Sequence, residues 1–356
     1  MLIVGAGLVG LCTAAALARR GEKCVLISQR IAGEASPAAG MLAPSVERAG
    51  GAAEAFGVAA RDRYPEFLEW VREATGVSIA LDRRGILQLA ATDGDAERMR
   101  AELEAGARWL SGEEVRRLEP ALAPVAGAIL HEGDGAVDNA ALVEALRSFA
   151  TRAPEVTVVE DRVVAIEPAG EAVSVTCASG RQYGGRAVVI AAGAWSGGLP
   201  GLRRTLPVEP VRGQMIALVG ARLRHVVFAG GGYLVPRADG ETLVGSTMER
   251  VGFDAGTTPA ALAHLRGFAA TVSQVLASAA LVRHWSGLRP MTPDLQPIVG
   301  RDPGHPSLFY ACGHSRNGIL MAPLTGDCVA ALLRGEQPGY DLSAFSPSRF
   351  TQVVTS

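Results

Sequence analysis

The feature that most constrains the fold is a set of three glycines near the start of the chain. Gly5, Gly7 and Gly10 have the spacing G-x-G-x-x-G. They follow the apolar residues 2–4 and precede the alanine-rich residues 8–20, which are typical of a strand and a helix respectively. A glycine loop between a strand and a helix predicts a Rossmann-like unit that binds the phosphates of a dinucleotide at the helix N-terminus.

The second predicted strand, residues 23–27, leaves the type of dinucleotide open. The Rossmann pattern usually places an acidic residue after this strand, where the carboxylate bonds the ribose 2′-hydroxyl. Here the strand is followed by Ser28, Gln29 and Arg30, so a hydroxyl is present but a negative charge is not. Ser28 and Arg30 would equally suit a 2′-phosphate, and these residues alone therefore leave NADP open.

Composition excludes several classes of function. The 356 residues carry 34 basic and 36 acidic side chains, without the basic excess that a nucleic-acid partner needs. No apolar run reaches the roughly 18 residues of a membrane span, and no secretory leader is evident. The 5 cysteines are scattered without disulfide or metal spacing. We therefore expect a cytoplasmic protein that uses no metal, no nucleic acid and no membrane.

The order of predicted elements indicates two architectures in one chain. Apolar runs at residues 23–27, 186–193 and 308–312 are typical of buried parallel strands. Between residues 206 and 248, short alternating strands predict an antiparallel sheet instead. This pattern predicts an α/β fold, α+β overall, with two domains built from interleaved segments. The charged stretch at residues 113–119 is expected to be a solvated helix face without chemistry.

Several longer motifs identify a family. They are GAGLVG (residues 5–10), SPAAGML (36–42), VVIAAGAWS (188–196), YLVPR (233–237), VGSTM (244–248), WSGLRPMTPDLQPIVG (285–300) and GHSRNGILMAPLTG (313–326). With these motifs the chain resembles the FAD-dependent D-amino-acid oxidase superfamily, and within it the glycine oxidases of thiamine biosynthesis.

The resemblance implies a Rossmann-like FAD-binding domain interleaved with an antiparallel substrate domain. We expect residues 1–80, 133–201 and 286–352 to form the first domain and residues 81–132 and 202–285 the second. FAD is expected to bind non-covalently, since no cysteine follows Arg289 in the PMTP stretch. The residues implied as cofactor contacts are Gly5, Gly7, Leu8, Val9, Gly10, Ser28, Gln29, Arg30, Ser36, Ala39, Gly40, Met41, Val163, Gly193, Trp195, His314, Ser315, Asn317, Gly318, Ile319 and Leu320.

Three residues are implied as catalytic by the resemblance. Arg289 would grip the substrate carboxylate, because a guanidinium fork bonds a carboxylate in two places. Tyr233 would add a hydroxyl bond to the same group, and Arg316 would line the flavin and substrate site. The alternatives are a structural ion pair for an arginine and half-buried packing for the tyrosine. His314 could be a general base, but a structural hydrogen bond is the favoured interpretation.

The substrate pocket is implied to include Met41 and Met248, although methionines at such positions can equally fill a core. The expected reaction is oxidative deamination of glycine or a small D- or N-methyl amino acid, with O2 reduced to H2O2. Residues 229–232 (AGGG) lack bulky side chains and leave room for larger substrates.

Three other functions stay open: a D-amino-acid dehydrogenase with another electron acceptor, an NADP-dependent reductase, and a non-catalytic FAD-binding subunit. Relatives suggest a homo-oligomer.

Overall fold

The computed structural model describes residues 1–30, 37–48, 50–104, 106–202 and 204–350. Within these ranges the α-helices are, in chain order, α1 (Leu8–Ala18), α2 (Pro44–Glu47), α3 (Gly51–Thr75), α4 (Asp93–Ala101), α5 (Gly112–Leu118), α6 (Asn139–Arg152), α7 (Pro259–Val272), α8 (Gln274–Ala277) and α9 (Gly318–Leu333). Short 3-10 turns lie at Gly193–Gly198, Ser343–Phe345 and Pro347–Arg349.

The strands in the same ranges are β1 (Leu2–Val4), β2 (Cys24–Ser28), β3 (Met41–Leu42), β4 (Leu81–Asp82), β5 (Ile86–Ala90), β6 (Ala107–Ser111), β7 (Gly127–His131), β8 (Gly135–Val137), β9 (Val156–Glu160), β10 (Val163–Ala169), β11 (Ala172–Cys177), β12 (Gln182–Gly185), β13 (Val188–Ile190), β14 (Glu209–Val219), β15 (Val226–Ala229), β16 (Gly232–Pro236), β17 (Glu241–Gly245), β18 (Ala280–Met291), β19 (Ile298–Arg301) and β20 (Leu308–Cys312).

One sheet of six strands has the order β19-β20-β13-β1-β2-β9. Five of these strands run parallel, and β19 is antiparallel to its neighbour β20. Its strands are almost continuously apolar because both faces are covered, as is usual for parallel sheets. Since the carboxyl ends of parallel strands meet at one edge, the loops after β1, β2, β13 and β20 lie together. This edge carries most of the expected cofactor residues.

Helices α1, α3, α6 and α9 share one buried cluster with this sheet. α1 and α9 approach closely, since a Cβ at Gly326 would lie 2.7 Å from the backbone carbonyl carbon of Cys12. α1 is apolar almost all round, which is expected for a helix buried between a sheet and another helix.

A second sheet of eight strands has the order β18-β14-β17-β16-β15-β5-β7-β6. Its neighbours are antiparallel, as expected, except that β15 pairs in parallel with β5. One face packs against α7, where Leu265 and Ala269 join the buried cluster of Leu218 and Leu234. Two sheets of three strands, β10-β11-β12 and β3-β8-β4, complete the fold. None of the helices in the described ranges is long and apolar enough to cross a membrane.

The two large sheets take their strands from different parts of the chain. Every strand of the six-stranded sheet falls within residues 1–80, 133–201 or 286–352. The strands of the eight-stranded sheet fall within the other segments, except that Ala280–Met291 runs across the boundary at residue 286. The domain division itself stays a prediction.

Two expectations about local structure were wrong or incomplete. The stretch 113–119 is not wholly solvated, because Glu119 at its end is fully buried. Its carboxylate accepts hydrogen bonds from the backbone N–H groups of Arg224 and His225 and contacts the His225 ring at 2.6 Å. The residues of β18 were not predicted as a strand, since Gly287 and Pro290 weaken the strand pattern. Pro290 is tolerated because β18 is an edge strand.

Candidate active site

The glycine loop lies at the carboxyl edge of the six-stranded sheet, between β1 and α1. Gly5 has φ 109°, and a Cβ there would lie 2.3 Å from the carbonyl oxygen of Ala191 after β13. A Cβ on Gly10 would lie 1.9 Å from the carbonyl oxygen of Gly5. By contrast, a Cβ on Gly7 would meet no atom within 4 Å. Gly5 and Gly10 are thus required by packing, whereas Gly7 leaves open space beside the backbone.

The N-terminus of α1 faces this space and has no side-chain cap among the described residues. Gly7 is the N-cap, no side chain caps the helix, and its first turn has no acidic residue. Leu8, Val9 and Gly10 form that first turn, whose N–H groups have no acceptor within the helix. The partial positive charge at this helix end favours a phosphate.

The residues after β2 lie at the same edge. Ser28 ends the strand, and its hydroxyl donates a hydrogen bond of 3.1 Å to the carbonyl of Arg30. Gln29 and Arg30 are exposed. Val163, at the start of β10, is buried. The segment that precedes it is joined to the end of β2, because the Asp161 N–H donates to the Ser28 carbonyl at 2.9 Å.

The segment before β3 is held by an arginine from the other large sheet. Arg237 donates to the carbonyl of Ala39 at 3.0 Å and to the carbonyl of Val137 at 2.9 Å. Gly40 has φ 77°, and a Cβ there would lie 2.1 Å from the Val137 carbonyl oxygen. Met41 follows in β3 and, like Tyr233, packs against the buried cluster that includes Ala39 and Met215. Ser36 lies outside the described residues.

Two further expected cofactor residues follow β13. Gly193 has φ 56° and begins a 3-10 turn. Trp195, in that turn, is 58% exposed and stacks on the ring of Phe253 with centroids 5.7 Å apart.

The loop between β20 and α9 brings its residues to the same edge. His314 is buried, its Nε2 lies 3.1 Å from the Thr325 hydroxyl, and burial lowers its pKa to about 4. It is therefore neutral at ordinary pH, which fits a structural hydrogen bond. Ser315 has φ 51°, and its N–H donates to the Pro290 carbonyl at 3.0 Å. Asn317 is the N-cap of α9, and Gly318, Ile319 and Leu320 form its first turn, without a side-chain cap or an acidic residue.

Arg289 projects from β18 towards the neighbouring strands of the eight-stranded sheet. Its Nη2 donates to the Ser246 hydroxyl at 2.6 Å, and its Nη1 donates to the Thr247 carbonyl at 3.1 Å. A Cβ on Gly213 of β14 would lie 2.1 Å from Nη1 of Arg289. The guanidinium therefore occupies the space that a side chain at Gly213 would need.

Tyr233 reaches the same place from β16. It is paired with Gly245 in the register of β16 and β17. A Cβ on Gly245 would lie 2.7 Å from the Tyr233 hydroxyl oxygen, whose only recorded hydrogen bond in the described residues is a weak one of 3.8 Å to the sulfur of Met215. Since Ser246 follows Gly245, the Tyr233 hydroxyl and the Arg289 guanidinium lie beside adjacent residues.

Glu249 organises the segment that Arg289 contacts. Its carboxylate accepts from Arg212 at 2.6 Å, from the Gln214 amide at 2.8 Å and from the Thr247 hydroxyl. Burial opposes ionisation, but hydrogen bonds from Thr247, Arg212 and Gln214 lower the pKa of Glu249. The charged carboxylate therefore fixes Thr247, whose carbonyl accepts from Arg289.

Arg316 does not bond Arg289 or Tyr233 in the described residues. Its Nη2 lies 2.6 Å from Oε1 of Glu47, the last residue of α2. Met248, the other expected pocket residue, is 56% exposed and follows Thr247 directly. A core-filling role for Met248 is therefore excluded.

Comparison with known proteins identifies the family. The family described as FAD dependent oxidoreductase (DAO) matches residues 1–332. The chain belongs to this family.

Individual relatives of this FAD-dependent oxidoreductase cover almost its whole length. The glycine oxidase of Pseudomonas putida is 35% identical to it over 98% of both chains. The bifunctional protein ThiO/ThiG of Synechocystis is 36% identical over 98% of this chain and 54% of that relative. The crystal structure of glycine oxidase from Geobacillus kaustophilus has 31% identity, a TM-score of 0.91, and coverage of 99% of this chain and 98% of that one. The resemblance and the fold predicted from the sequence are confirmed.

Family membership identifies the cofactor as FAD. The residues after β2 had left the type of dinucleotide open. The observed site fits this group. The open space beside Gly7 and the uncapped N-terminus of α1 suit a pyrophosphate. The N-terminus of α9 is likewise free of acidic residues and suits the electron-rich edge of a reduced flavin.

Five residues that surround the expected site residues were missed from the sequence: Gly213, Gly245, Ser246, Glu47 and Glu249. Ser246 lies inside the motif VGSTM, so its place in that motif was a usable signal. Gly245 lies in the same motif, whereas Gly213 and the two carboxylates act through residues distant in the chain and no local pattern marks them.

Proposed function

We propose that the protein oxidises glycine at its FAD, forming the imine and then glyoxylate and ammonia while O2 is reduced to H2O2. The observation that carries this proposal is the convergence of Arg289 and Tyr233 on Gly245 and Ser246. The glycine oxidases among its relatives support the same reaction.

Arg289 would bind the substrate carboxylate. Of the five N–H groups of a guanidinium, two donate to Thr247 and Ser246 among the described residues, which leaves three for the substrate. Both of these partners are neutral, so the positive charge of Arg289 stays uncompensated by them. The Tyr233 hydroxyl, which has only a weak sulfur acceptor, would donate to the same carboxylate.

FAD, when bound, would supply the acceptor for the hydride of the substrate Cα–H and the route of the two electrons to O2. The chain contributes orientation, since a carboxylate held at two points fixes where the Cα–H is directed. Glycine, O2 and H2O then give glyoxylate, NH3 and H2O2. We propose that the substrate amine enters neutral; His314, which is buried and bonded to Thr325, is not placed as a base.

The run of glycines before Tyr233 gives no argument for a larger substrate. Gly230 and Gly231 form the exposed turn between β15 and β16, with φ 46° and 124°. Such a hairpin turn favours glycine at both positions. Gly232 is excluded from carrying a side chain by the ring of Phe268, 2.6 Å from where its Cβ would be. Local backbone geometry and packing therefore explain all three glycine residues. We propose the free amino acid glycine as the substrate.

The experiment that tests this function compares electron acceptors. Purified protein with glycine should consume O2 and form an equal amount of peroxide. A D-amino-acid dehydrogenase of the same family would instead reduce a quinone-like dye and consume little O2. Rapid dye reduction without peroxide would contradict the oxidase and favour that alternative.

We further propose a cytoplasmic location, because the cysteines Cys12, Cys24, Cys177, Cys312 and Cys328 are free and buried and fit a reducing compartment. A homo-oligomer is also proposed, supported by the exposed start of the edge strand β18, where Leu281 and Val282 are unburied. Sedimentation of the purified protein tests the second point. We also propose the division of the chain into an FAD-binding domain and a substrate domain with the boundaries expected from the sequence.

A further inference from the structure

We propose that Glu47 sets the charge selectivity of the site. By neutralising Arg316, it would make the enzyme prefer amino acids with one carboxylate over those with a second carboxylate on the nitrogen substituent. The inference rests on the proposed amine oxidation at Arg289.

The two arginines of the site have different partners. Arg289 donates to a hydroxyl and a carbonyl, both neutral. Arg316 contacts a carboxylate, with Nη2 2.6 Å from Oε1 of Glu47. This charge-assisted contact offsets much of the positive charge of the guanidinium, whose side chain is 40% exposed. One arginine is therefore available to an anionic ligand, and the other is neutralised.

The backbones that carry the two arginines are in direct contact. The Ser315 N–H donates to the Pro290 carbonyl at 3.0 Å. Arg316 follows Ser315 and Arg289 precedes Pro290, so the backbones that carry the two guanidinium groups are joined by this bond. An anion held by Arg289 is accordingly sensitive to the net charge around Arg316.

Glu47 is held firmly in place. The helix α2 is fixed by the fully buried carboxylate of Asp134, which accepts from the Ser45 hydroxyl at 3.0 Å and from the Val46 N–H at 3.3 Å. The same carboxylate is paired with Arg61 at 3.0 Å. The Glu47 side chain is 17% exposed, so solvent screens its charge only partly.

The neighbouring cation does not compete for Glu47. Arg48 pairs with Glu102 and Glu104, at 3.6 Å each. Among the described residues, removing the charge of Glu47 would thus leave Arg316 without a carboxylate partner and able to accept a second substrate carboxylate.

Iminodiacetate is the probe that isolates this effect. It is glycine with a second carboxymethyl group on the nitrogen, so the reacting Cα–H and the carboxylate for Arg289 are unchanged. The quantity to measure is the ratio of kcat/KM for iminodiacetate to kcat/KM for glycine, which cancels effects common to both substrates.

Removing the charge of Glu47 and removing the charge of Arg316 should change this ratio in opposite directions. In Glu47→Gln the ratio should rise by about tenfold or more, since a like-sized amide frees Arg316. In Arg316→Gln it should fall by about fivefold or more, since the Glu47 carboxylate is left to repel the second anion. Glu47→Asp, which keeps the charge, should stay near the wild-type ratio. Glu66→Gln is the matched control, because Glu66 pairs with Arg63 on the exposed face of α3.

An unchanged ratio in Glu47→Gln would overturn the proposal. If that variant does not retain flavin, Arg316→Gln decides, and an unchanged ratio there overturns it. If the wild-type holoenzyme oxidises neither compound, the proposed function fails, and the selectivity is measured instead as the ratio of dissociation constants from perturbation of the flavin spectrum.

Discussion

At the scale of single residues, the site depends on two glycines that have no side chain. The guanidinium of Arg289 and the phenol of Tyr233 lie where Cβ atoms at Gly213 and Gly245 would be. Both glycines belong to strands, where glycine is usually unfavourable because it has no side chain to pack. Their presence is explained by the side chains of other strands that cover them.

Replacing Arg289 by alanine should lower kcat/KM for glycine by about 100-fold or more, mainly through KM, because the carboxylate loses its charged partner. Steady-state peroxide production measures this. Arg283→Ala is the control, since Arg283 lies on the same strand but is exposed and pairs with Glu241 at 2.7 Å. A wild-type KM in Arg289→Ala would rule out the role proposed for it.

Gly213→Ala should lower kcat/KM about tenfold or more while flavin stays bound, because the new methyl group must displace the Arg289 guanidinium. The comparison is Gly267→Ala in α7, where a Cβ would meet no atom within 4 Å. That variant should retain full activity. Equal kinetics in the two variants would show that the guanidinium position does not matter for the reaction.

The motifs were enough to choose Arg289 and Tyr233 from the sequence, but not their surroundings. Ser246 is adjacent to Gly245 in the chain, yet its bond to Arg289 spans 43 positions. Glu47 and Arg316 are still further apart in sequence. Such pairs are decided by strand order and by the placement of α2, which periodicity and spacing do not encode.

At the scale of elements, the cofactor edge combines two helix N-termini with glycine packing. α1 follows β1 and α9 follows β20, and parallel strands bring both helix starts to one edge. The three glycines of the loop then separate into two that are needed for packing and one that leaves space for the ligand.

Gly10→Ala and Gly7→Ala should therefore differ. The methyl group of Gly10→Ala meets the Gly5 carbonyl and should lower the free energy of unfolding of the apoprotein by about 2–3 kcal/mol. Gly7→Ala should change that free energy by less than about 1 kcal/mol but weaken FAD binding about tenfold or more. Urea unfolding and flavin titration measure the two quantities. Equal FAD affinity in Gly7→Ala and wild type would contradict a phosphate position beside Gly7.

Elements with strong local patterns were predicted closely. Leu2–Val4 and Leu308–Cys312 have the bounds expected from their apolar runs. The strand Ala280–Met291, which carries Arg289, was missed, because glycine and proline interrupt its pattern and its stability comes from long pairing with β14. Tertiary pairing here overrides local propensity.

At the scale of the whole molecule, Arg237 joins the eight-stranded sheet to the small sheet β3-β8-β4. From beside β16 it bonds the carbonyls of Ala39 and Val137, and burial lowers its pKa. The sequence predicted interleaved segments because parallel-type strands occur at both ends of the chain. It did not predict which side chains join the sheets, since those contacts link positions about 100 to 200 residues apart.

Buried histidines should make the stability of the molecule depend on pH. Burial lowers the pKa of His314 from 6.5 to about 4, and burial with a nearby Arg48 does the same for His131. Between these values the unfolded chain binds more protons, so the free energy of unfolding should fall as pH falls from 6.5 to 4. The expected loss is about 3 kcal/mol per histidine.

Urea unfolding at pH 6.5 and 4.5 measures the effect of acid on stability. His314→Gln should lose less stability between these conditions than wild type, because one titrating group is gone. His264→Gln, on the exposed side of α7, is the control and should follow wild type. A His314→Gln variant as acid-sensitive as wild type would show that this imidazole does not control the transition.

The decisive measurement is the absorbance of the FAD-loaded protein when glycine is added without oxygen. Electron transfer from a glycine anchored by Arg289 should bleach the flavin band in wild type and Arg283→Ala, and readmitted O2 should restore it with one peroxide per flavin. Arg289→Ala should bleach only at much higher glycine concentration. A flavin that stays oxidised in wild type with glycine, sarcosine and D-amino acids alike would contradict amine oxidation at this site.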